Sequence, residues 1–332
     1  MGFGGVARPK PRRAPAHRTR VTHRPTDGLW ALVLAGGDGT RLRELTRLIS
    51  GAPIPKQYCR ILGDRSLLEA TLARVAPLVP RERTVVIVNR GHLELAWSQL
   101  AALPAQNLLV QPGNRDTGPG VLFSLLALAR RQPDATVAVF PSDHHIGDER
   151  RFRAHVAQMA QLVDEHPEKI ALLGVEPNRP EGGFGYILPG QRLSSVTGDA
   201  AFHVVSFHEK PTPSLAARIV GRGALWNSFV MVFRLSRMLE LLHQVRPAGV
   251  SRLARLLDDP EALVAAYPSI APWNFSRDFL VRIPEHLAVV RAADVGWSDW
   301  GTPAAIEQTL TWSRYSSAEY QPRTRVPPFT TS

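Results

Sequence analysis

The sequence predicts an α/β fold around a mostly parallel sheet covered on both faces, and three observations carry that expectation. Continuous apolar runs recur at residues 29–35, 84–89, 108–111, 136–140 and 170–175, with helical segments between them. Strands buried on one face alternate polar and apolar residues, whereas strands buried on both faces do not, and a helix-flanked parallel sheet needs the second kind. The runs also end repeatedly at Gly, Pro, Ser or Asp, where open α/β sheets bind their ligands.

Taken in order, residues 29–35 (Leu-Trp-Ala-Leu-Val-Leu-Ala) read as a buried strand halted by Gly36-Gly37. A long loop rich in Gly, Arg and Pro is expected from there to about Leu62. Ser66, with Glu69 three residues later, forms a capping box that opens a helix to about Val79. A strand over 84–89, a helix over 92–102 and a short strand over 108–111 follow. Residues 117–131 read as a helix with Leu122, Leu125, Leu126 and Ala129 on one face. A strand over 136–140 ends at Pro141-Ser142-Asp143, then come a helix over 151–165 and a strand over 170–175. After Glu176 the pattern changes. Glycines cluster at Gly182, Gly183 and Gly185, and short strands are expected around 186–188, 202–209 and 225–233. Helical pieces over 236–258 and 260–266, a strand over 287–291 and a closing helix over 302–313 complete the chain.

Composition removes several function classes. No run of eighteen apolar residues exists, so no membrane-spanning helix is expected. Cys59 is the only cysteine, which excludes an internal disulfide framework and a four-cysteine zinc site. A reducing compartment, the cytoplasm, is the expectation. The net charge of +11 invites a nucleic-acid partner, but +6 of it sits in residues 1–28, where seven basic residues face one acid, Asp27. A Pro- and Arg-rich segment without apolar periodicity cannot repay its ordering entropy. Residues 1–28 are therefore expected to be a disordered tail and 314–332 a mobile one. The folded domain is expected over 29–313, in halves of 29–175 and 176–313. With the charge in the tail and no recognition motif, nucleic acid is not an expected partner. Arginine supplies 36 of the 40 basic residues, so the four lysines, Lys10, Lys56, Lys169 and Lys210, hint at sites that need a compact ammonium.

The motifs fall at strand ends. Gly36-Gly37-Asp38-Gly39-Thr40-Arg41-Leu42 follows the first strand, and its glycines let backbone N–H groups approach an anion. It lacks the Gly-Lys-Ser/Thr of a P-loop and the third small residue of a dinucleotide fingerprint. Pro55-Lys56-Gln57 lies on the same loop, placing a lysine within reach of phosphates held by the glycines. Gln111 to Gly118 ends one strand and opens a helix, a place suited to anions and polar groups. Pro141-Ser142-Asp143-His144-His145 ends another, and a carboxylate there suits Mg²⁺. Adjacent histidines rarely chelate one ion, so His144 and His145 read as structural or substrate-facing.

The order of these motifs resembles that of the sugar-1-phosphate nucleotidyltransferases, and within them the mannose-1-phosphate guanylyltransferases. The resemblance runs from about Leu29 to Thr302. It rests on the glycine loop at 36–42, Pro-Lys-Gln at 55–57, Pro-Ser-Asp-His at 141–144, Phe-Gly-Tyr-Ile at 184–187, Phe-His-Glu-Lys-Pro at 207–211, Trp-Asn-Ser at 226–228 and Gly-Trp-Ser-Asp at 296–299. It implies a Rossmann-like nucleotidyltransferase fold and transfer of a nucleotidyl group from an NTP, GTP foremost, to a sugar-1-phosphate, mannose-1-phosphate foremost. Leu34, Ala35, Gly36, Gly37, Gly39, Thr40, Arg41, Lys56, Gln57, Gln111, Asn114, Thr117 and Ser142 would bind the nucleotide. Gly185, Tyr186, Glu209, Lys210 and Asn227 would bind the sugar phosphate. Asp143 and Asp299 would meet at Mg²⁺, and Arg41, Lys56, Asp143, Lys210 and Asp299 would carry the chemistry. A homodimer and no membrane partner are expected. The alternatives are a different sugar or base, or a non-catalytic paralogue that binds nucleotide sugars.

The sequence departs from the family pattern at several points. Arg43-Glu44 replaces a proline neighbourhood, and the loop over 48–54 is longer. Phe229 stands where the family has glycine, which should narrow the sugar pocket. His208 replaces an apolar residue, Gly118 replaces an alanine, and the segment around Asp278 lacks the Asp-Tyr-Ala run and the glutamate usual there. No further C-terminal domain is expected after Gly-Trp-Ser-Asp.

Overall fold

The computed structural model describes Met1, residues 26–194 and residues 201–316. Strands β1 (Leu29–Ala35), β2 (Thr84–Asn89), β3 (Leu108–Gln111) and β4 (Thr136–Pro141) are mutually parallel in the order 3-2-1-4. The sheet continues through β5 (Ile170–Val175), β6 (Gly185–Arg192), β7 (Ala201–Glu209), β8 (Leu225–Arg234) and β9 (Leu287–Ala292), for an overall order of 3-2-1-4-8-5-9-7-6. Strand β8 is wedged between β4 and β5 and runs antiparallel to both. Beyond it β5 and β9 are parallel, whereas β6 and β7 pair antiparallel. One sheet thus carries a parallel end and a mixed end.

The helices are α1 (Arg43–Ser50), α2 (Leu67–Val75), α3 (Leu93–Trp97), α4 (Thr117–Ala129), α5 (Glu149–Glu165), α6 (Pro213–Val220), α7 (Leu235–Val245), α8 (Pro247–Leu256), α9 (Pro260–Ala266), α10 (Phe275–Asp278) and α11 (Pro303–Ser316). They cover both faces, as continuous apolar strands require. Along β1, Leu29, Ala31, Val33 and Ala35 enter one apolar cluster, which Leu68 of α2, Met159 of α5 and Ile219 of α6 close. Trp30 and Leu32 enter the other, closed by Leu125 of α4, Leu241 of α7 and Leu253 of α8. Each large apolar side chain among these contributes about 1.5–3 kcal/mol when fully buried.

Most elements lie where the periodicity places them, with some corrections. The segment expected to be loop from Gly36 to Leu62 contains α1. It has only two turns, and the surrounding Gly, Arg and Pro hide its period. Leu45 and Thr46 bury its inner face, and it stops at Gly51, whose φ of 78° is the left-handed cap that glycine favours. Helix α2 carries the expected capping box, with Ser66 Oγ accepting from Glu69 N at 3.1 Å and Glu69 Oε2 accepting from Ser66 N at 2.7 Å. It ends at Val75 rather than Val79. The helix expected over 92–102 reduces to α3 and a 3-10 turn, Ser98–Leu100. The stretch 236–258 is two helices broken at Arg246, because Pro247 can start a helix but cannot continue one. Helix α11 extends to Ser316, three residues into the expected C-terminal tail. The rest of that tail and residues 2–25 of the N-terminal one lie outside the described residues. Among the described residues no helix is long and apolar enough to cross a membrane.

Candidate functional site: a cleft at the strand ends

A cleft of about 350 Å³ opens beyond the carboxyl ends of β1 and β4, within the range of small-ligand sites. Its walls include Leu34, Gly36, Gly37, Gln57, Gln111, Asn114, Thr117, Ser142 and Asp143 from the first half of the chain, and Gly185, Glu209, Asn227 and Asp299 from the second. All of these were expected from the sequence. Topology brings them together, because β1, β3, β4 and β7 end, and β6 and β8 begin, at the cleft.

The glycine loop is held from behind. Gln57 Nε2 donates to the carbonyls of Ala35 at 3.1 Å and Gly37 at 2.7 Å, and the Tyr58 hydroxyl donates to Ala35 O at 2.8 Å. Gly39 has φ 57°, and a Cβ there would stand 3.0 Å from Lys56 N, so glycine is required where the loop crosses Pro55-Lys56. Thr40 opens the 3-10 turn that follows. Gln111 is wedged between two glycines. A Cβ on Gly36 would lie 2.6 Å from its Nε2, and one on Gly120 would lie 2.8 Å from its Oε1. Asp38 accepts from Asn114 Nδ2 at 2.8 Å and Asn89 Nδ2 at 3.3 Å, tying the loop to the ends of β2 and β3.

Two carboxylate-bearing segments meet at the middle of the cleft. His145 N donates to Ser298 O at 2.8 Å and Ser298 N to His145 O at 3.1 Å, so Asp143 and Asp299 flank a two-residue bridge. The buried Lys56 Nζ lies 3.3 Å from Asp143 Oδ2 and donates to the carbonyls of Asp299 and Trp300. Burial alone would raise the Asp143 pKa, but the Lys56 ammonium together with the neighbouring His144 and a backbone hydrogen bond holds the carboxyl below its ordinary value. Burial pushes His144 down, and its Nδ1 accepts from Trp297 Nε1 at 3.2 Å, so the ring is neutral. His145 stacks on Trp300 with centroids 4.8 Å apart, and burial lowers its pKa to about 4. Arg41 comes to the same place. Its Nη1 lies 3.2 Å from where a Cβ on Gly301 would stand, and Asp299 Oδ2 lies 2.6 Å from that point. Among the described residues no three acidic, His or Cys side chains cluster as a metal cage. Two carboxylates, one of them held ionised, suit a hard cation such as Mg²⁺, which usually keeps water and phosphate oxygens as its other ligands.

The other end is made of side chains on β6, β7 and β8. A Cβ on Gly185 would lie 2.6 Å from Glu209 Oε2 and 3.3 Å from both Asn227 Cβ and Phe207 Cζ, so the glycine makes room for these groups. Burial raises the Glu209 pKa despite the nearby Lys210 and Arg277. Lys210 stands on the rim, 61% exposed, with Nζ 4.0 Å from Glu209 Oε1. Phe229 lines the cleft with φ 60°, a conformation that costs a residue with a Cβ about 1–2 kcal/mol.

Some expected contacts need correction. Tyr186 is fully buried and does not line the cleft; its hydroxyl donates to Glu181 O at 2.9 Å and accepts from Glu181 N at 2.7 Å. Ser142 and Leu34 line the cleft as expected and also bond each other, Ser142 Oγ and N both donating to Leu34 O. Asp116, Phe184, Ser276 and Trp297 also line the cleft and were not singled out from the sequence; outside the lining, a contact at the start of α4 was missed too. Trp273 packs over Gly118, where a Cβ would lie 2.1 Å from its ring, and Arg246 sits 4.5 Å above its ring. The signal for this contact was Gly118 inside an apolar helix; Trp273 itself, in an irregular segment, gave none.

Comparison with known proteins bears on this geometry. The nucleotidyl transferase family model matches residues 30–311. The mannose-1-phosphate guanylyltransferase of Escherichia coli K12 is 34% identical over 284 residues, covering 82% of this chain and 58% of that protein. The xanthan biosynthesis protein XanB of Xanthomonas campestris strain B100 is also 34% identical, with 82% and 57% covered. The chain thus spans less than two thirds of the length of these relatives. A solved structure from Thermus thermophilus, described as a mannose-1-phosphate geranyltransferase, superimposes with a TM-score of 0.75 at 32% identity, covering 86% of this chain and 79% of that one. With its parallel and mixed sheet ends, its cleft at the strand termini and a family match over most of its length, the chain belongs to the nucleotidyl transferase family.

Proposed function

We propose that the chain transfers a guanylyl group from GTP to mannose-1-phosphate, giving GDP-mannose and pyrophosphate. The observation that carries this reading is the cleft in which a glycine-loop end and a Glu209–Asn227 end meet at Asp143 and Asp299. The names of the relatives supply the base and the sugar.

In this reading the N–H groups of Gly36, Gly37, Gly39 and Thr40, with the Arg41 guanidinium, hold the triphosphate. Gln111, Asn114 and Thr117 face the nucleoside. Gln57, Ser142, Leu34 and Ala35 keep the loop in shape. Lys56 acts from beneath, holding Asp143 ionised while lending positive potential to the phosphates. Glu209 and Asn227 take sugar hydroxyls, Gly185 lets the sugar approach the backbone, and Lys210 meets the sugar phosphate at the rim. Asp143 and Asp299 would hold Mg²⁺, which when bound offsets the repulsion between the two phosphate groups. The sugar phosphate is already ionised at neutral pH, so neither a strong base nor a covalent intermediate is needed. One of its oxygens attacks the α-phosphorus in line, and the bond to pyrophosphate breaks with its electron pair leaving on pyrophosphate. Catalysis is then positioning and charge neutralisation. The cytoplasm belongs to the same proposal, on the strength of the single, buried Cys59.

The test is pyrophosphate release over a panel of four NTPs and several hexose-1-phosphates with Mg²⁺. The expected optimum is GTP with mannose-1-phosphate. An optimum elsewhere would correct the base or the sugar, and no release with any pair would leave only a nucleotide-sugar-binding role.

A further inference from the structure

Phe229 occupies a built position rather than an accidental one. Across β5 and β8 the register runs from Leu172 opposite Met231 to Gly174 opposite Asn227, so Ser228, Phe229 and Val230 all stand against Leu173. Such a bulge re-aims side chains and is common beside active sites. It is pinned, because Ser228 Oγ donates to Leu173 O at 2.7 Å and accepts from Val230 N at 3.2 Å. The left-handed φ of 60° places Phe229 on the cleft wall, and the ring is braced edge-on against Phe275 at 5.9 Å. The same turn lets Phe229 N donate to Asn227 Oδ1 at 3.1 Å. That bond fixes the amide, because a donor N–H cannot face the NH₂ end, and it leaves the Asn227 amide hydrogens for a ligand oxygen.

The sugar end therefore offers Glu209 as an acceptor, Asn227 as a donor and, between them and the α10 segment, an aromatic wall without a hydrogen-bonding group. A hydroxyl pressed against that wall loses its water without replacement, whereas a C–H or methyl group is favoured there. We propose that Phe229 is a specificity-determining residue that selects sugar-1-phosphates with an apolar edge, as in a deoxyhexose, at the position facing its ring. This inference rests on the reading of the cleft as a sugar-phosphate nucleotidyltransferase site.

The test compares wild type with Phe229→Gly and Phe229→Asn. Both replacements tolerate a positive φ, so the bulge should survive, and melting temperatures check that it does. Pyrophosphate release is measured with the NTP that the wild type uses best, on mannose-, glucose- and galactose-1-phosphate and the 2-, 3-, 4- and 6-deoxy forms of mannose-1-phosphate. The expected result is that one deoxy form is used by the wild type at least as well as its parent. Its kcat/KM relative to the parent should then fall about tenfold in Phe229→Asn, the scale of one lost or gained hydrogen-bond partner, and by less in Phe229→Gly. The same ranking of sugars in all three proteins would overturn the proposal. An optimum with an NTP other than GTP, or with glucose- or galactose-1-phosphate over mannose-1-phosphate, would instead count against the base or sugar assigned above, while the ranking shift still decides the role of Phe229. No turnover with any pair would overturn both.

Discussion

The two ends of the cleft are built by different means. At the proposed nucleotide end a glycine loop forms part of the wall beside Gln111, Asn114 and Thr117, and other side chains brace that loop from behind: Gln57 and Tyr58 on its carbonyls, with Lys56 on Asp143. At the proposed sugar end the wall is side chains from β7 and β8, Glu209, Asn227 and Phe229, the last in a left-handed conformation. The glycine loop tolerates little change at Gly36 and Gly39, where an added Cβ would meet Gln111 and the Pro55-Lys56 backbone. A side-chain wall can be re-cut one residue at a time, Phe229 included.

The sharpest way to break that contrast is Lys56→Met. It leaves two carbonyls and the Asp143 carboxylate without their cation. Stability should fall by about 3 kcal/mol, the scale for opening a buried pair, and pyrophosphate release should drop on the order of 100-fold or more. Thermal melts and initial rates check this, and near-wild-type rates would mean that the nucleotide end does not depend on its hidden support.

A smaller effect is expected at Gly118→Ala, where the new Cβ must displace Trp273, at about 1–3 kcal/mol. Its control is Gly249→Ala in α8, where nothing lies within 4 Å and a gain of about 0.5 kcal/mol is expected. Equal denaturation midpoints for the two variants would show that Trp273 moves freely and that this end is softer than described.

The third expectation concerns pH. His145 has its folded-state pKa lowered to about 4, against about 6.5 in an unfolded chain. Between those values the unfolded state binds more protons, so stability rises with pH. This contribution is complete above about pH 6.5 and is lost as pH falls towards 4. His145→Phe keeps an aromatic ring against Trp300 and should flatten that part of the stability curve. An unchanged slope would place the linkage in other groups.

The smallest effect separates two lysines. Lys210→Arg should raise KM for the sugar phosphate severalfold, because a planar fork fits poorly where a point charge stands at the rim. Lys169→Arg should not, since Lys169 donates to Glu285 O, away from the cleft. Equal tolerance would remove Lys210 from the sugar-phosphate contacts.

What the sequence revealed follows the same division. The parallel strands and their terminal motifs were legible because burial on both faces leaves continuous apolar runs, and because glycine loops, Pro-Ser-Asp and capping boxes are local signals. Helix α1 was not legible, since two turns among Gly, Arg and Pro carry too little periodicity. The part played by Lys56 was only half visible: its type and neighbourhood marked it, but its partners Asp299 and Trp300 lie more than 240 residues away. Tyr186 sat inside a resemblance motif, yet it serves the turn at Glu181 and does not line the cleft, a distinction no spacing encodes. The stacking of Trp273 on Gly118 joins two segments through a contact that neither announces alone.

The central claim is that an oxygen of the sugar phosphate attacks the α-phosphorus of the nucleotide in this cleft and expels pyrophosphate. Its most direct test supplies GTP and mannose-1-phosphate labelled with ¹⁸O on the non-bridging phosphate oxygens, with Mg²⁺, and reads both products by mass spectrometry. The predicted result is GDP-mannose that keeps all the label, one atom of it in the new bridge, and pyrophosphate that carries none. Label in pyrophosphate, or hydrolysis of GTP without GDP-mannose, would contradict the account.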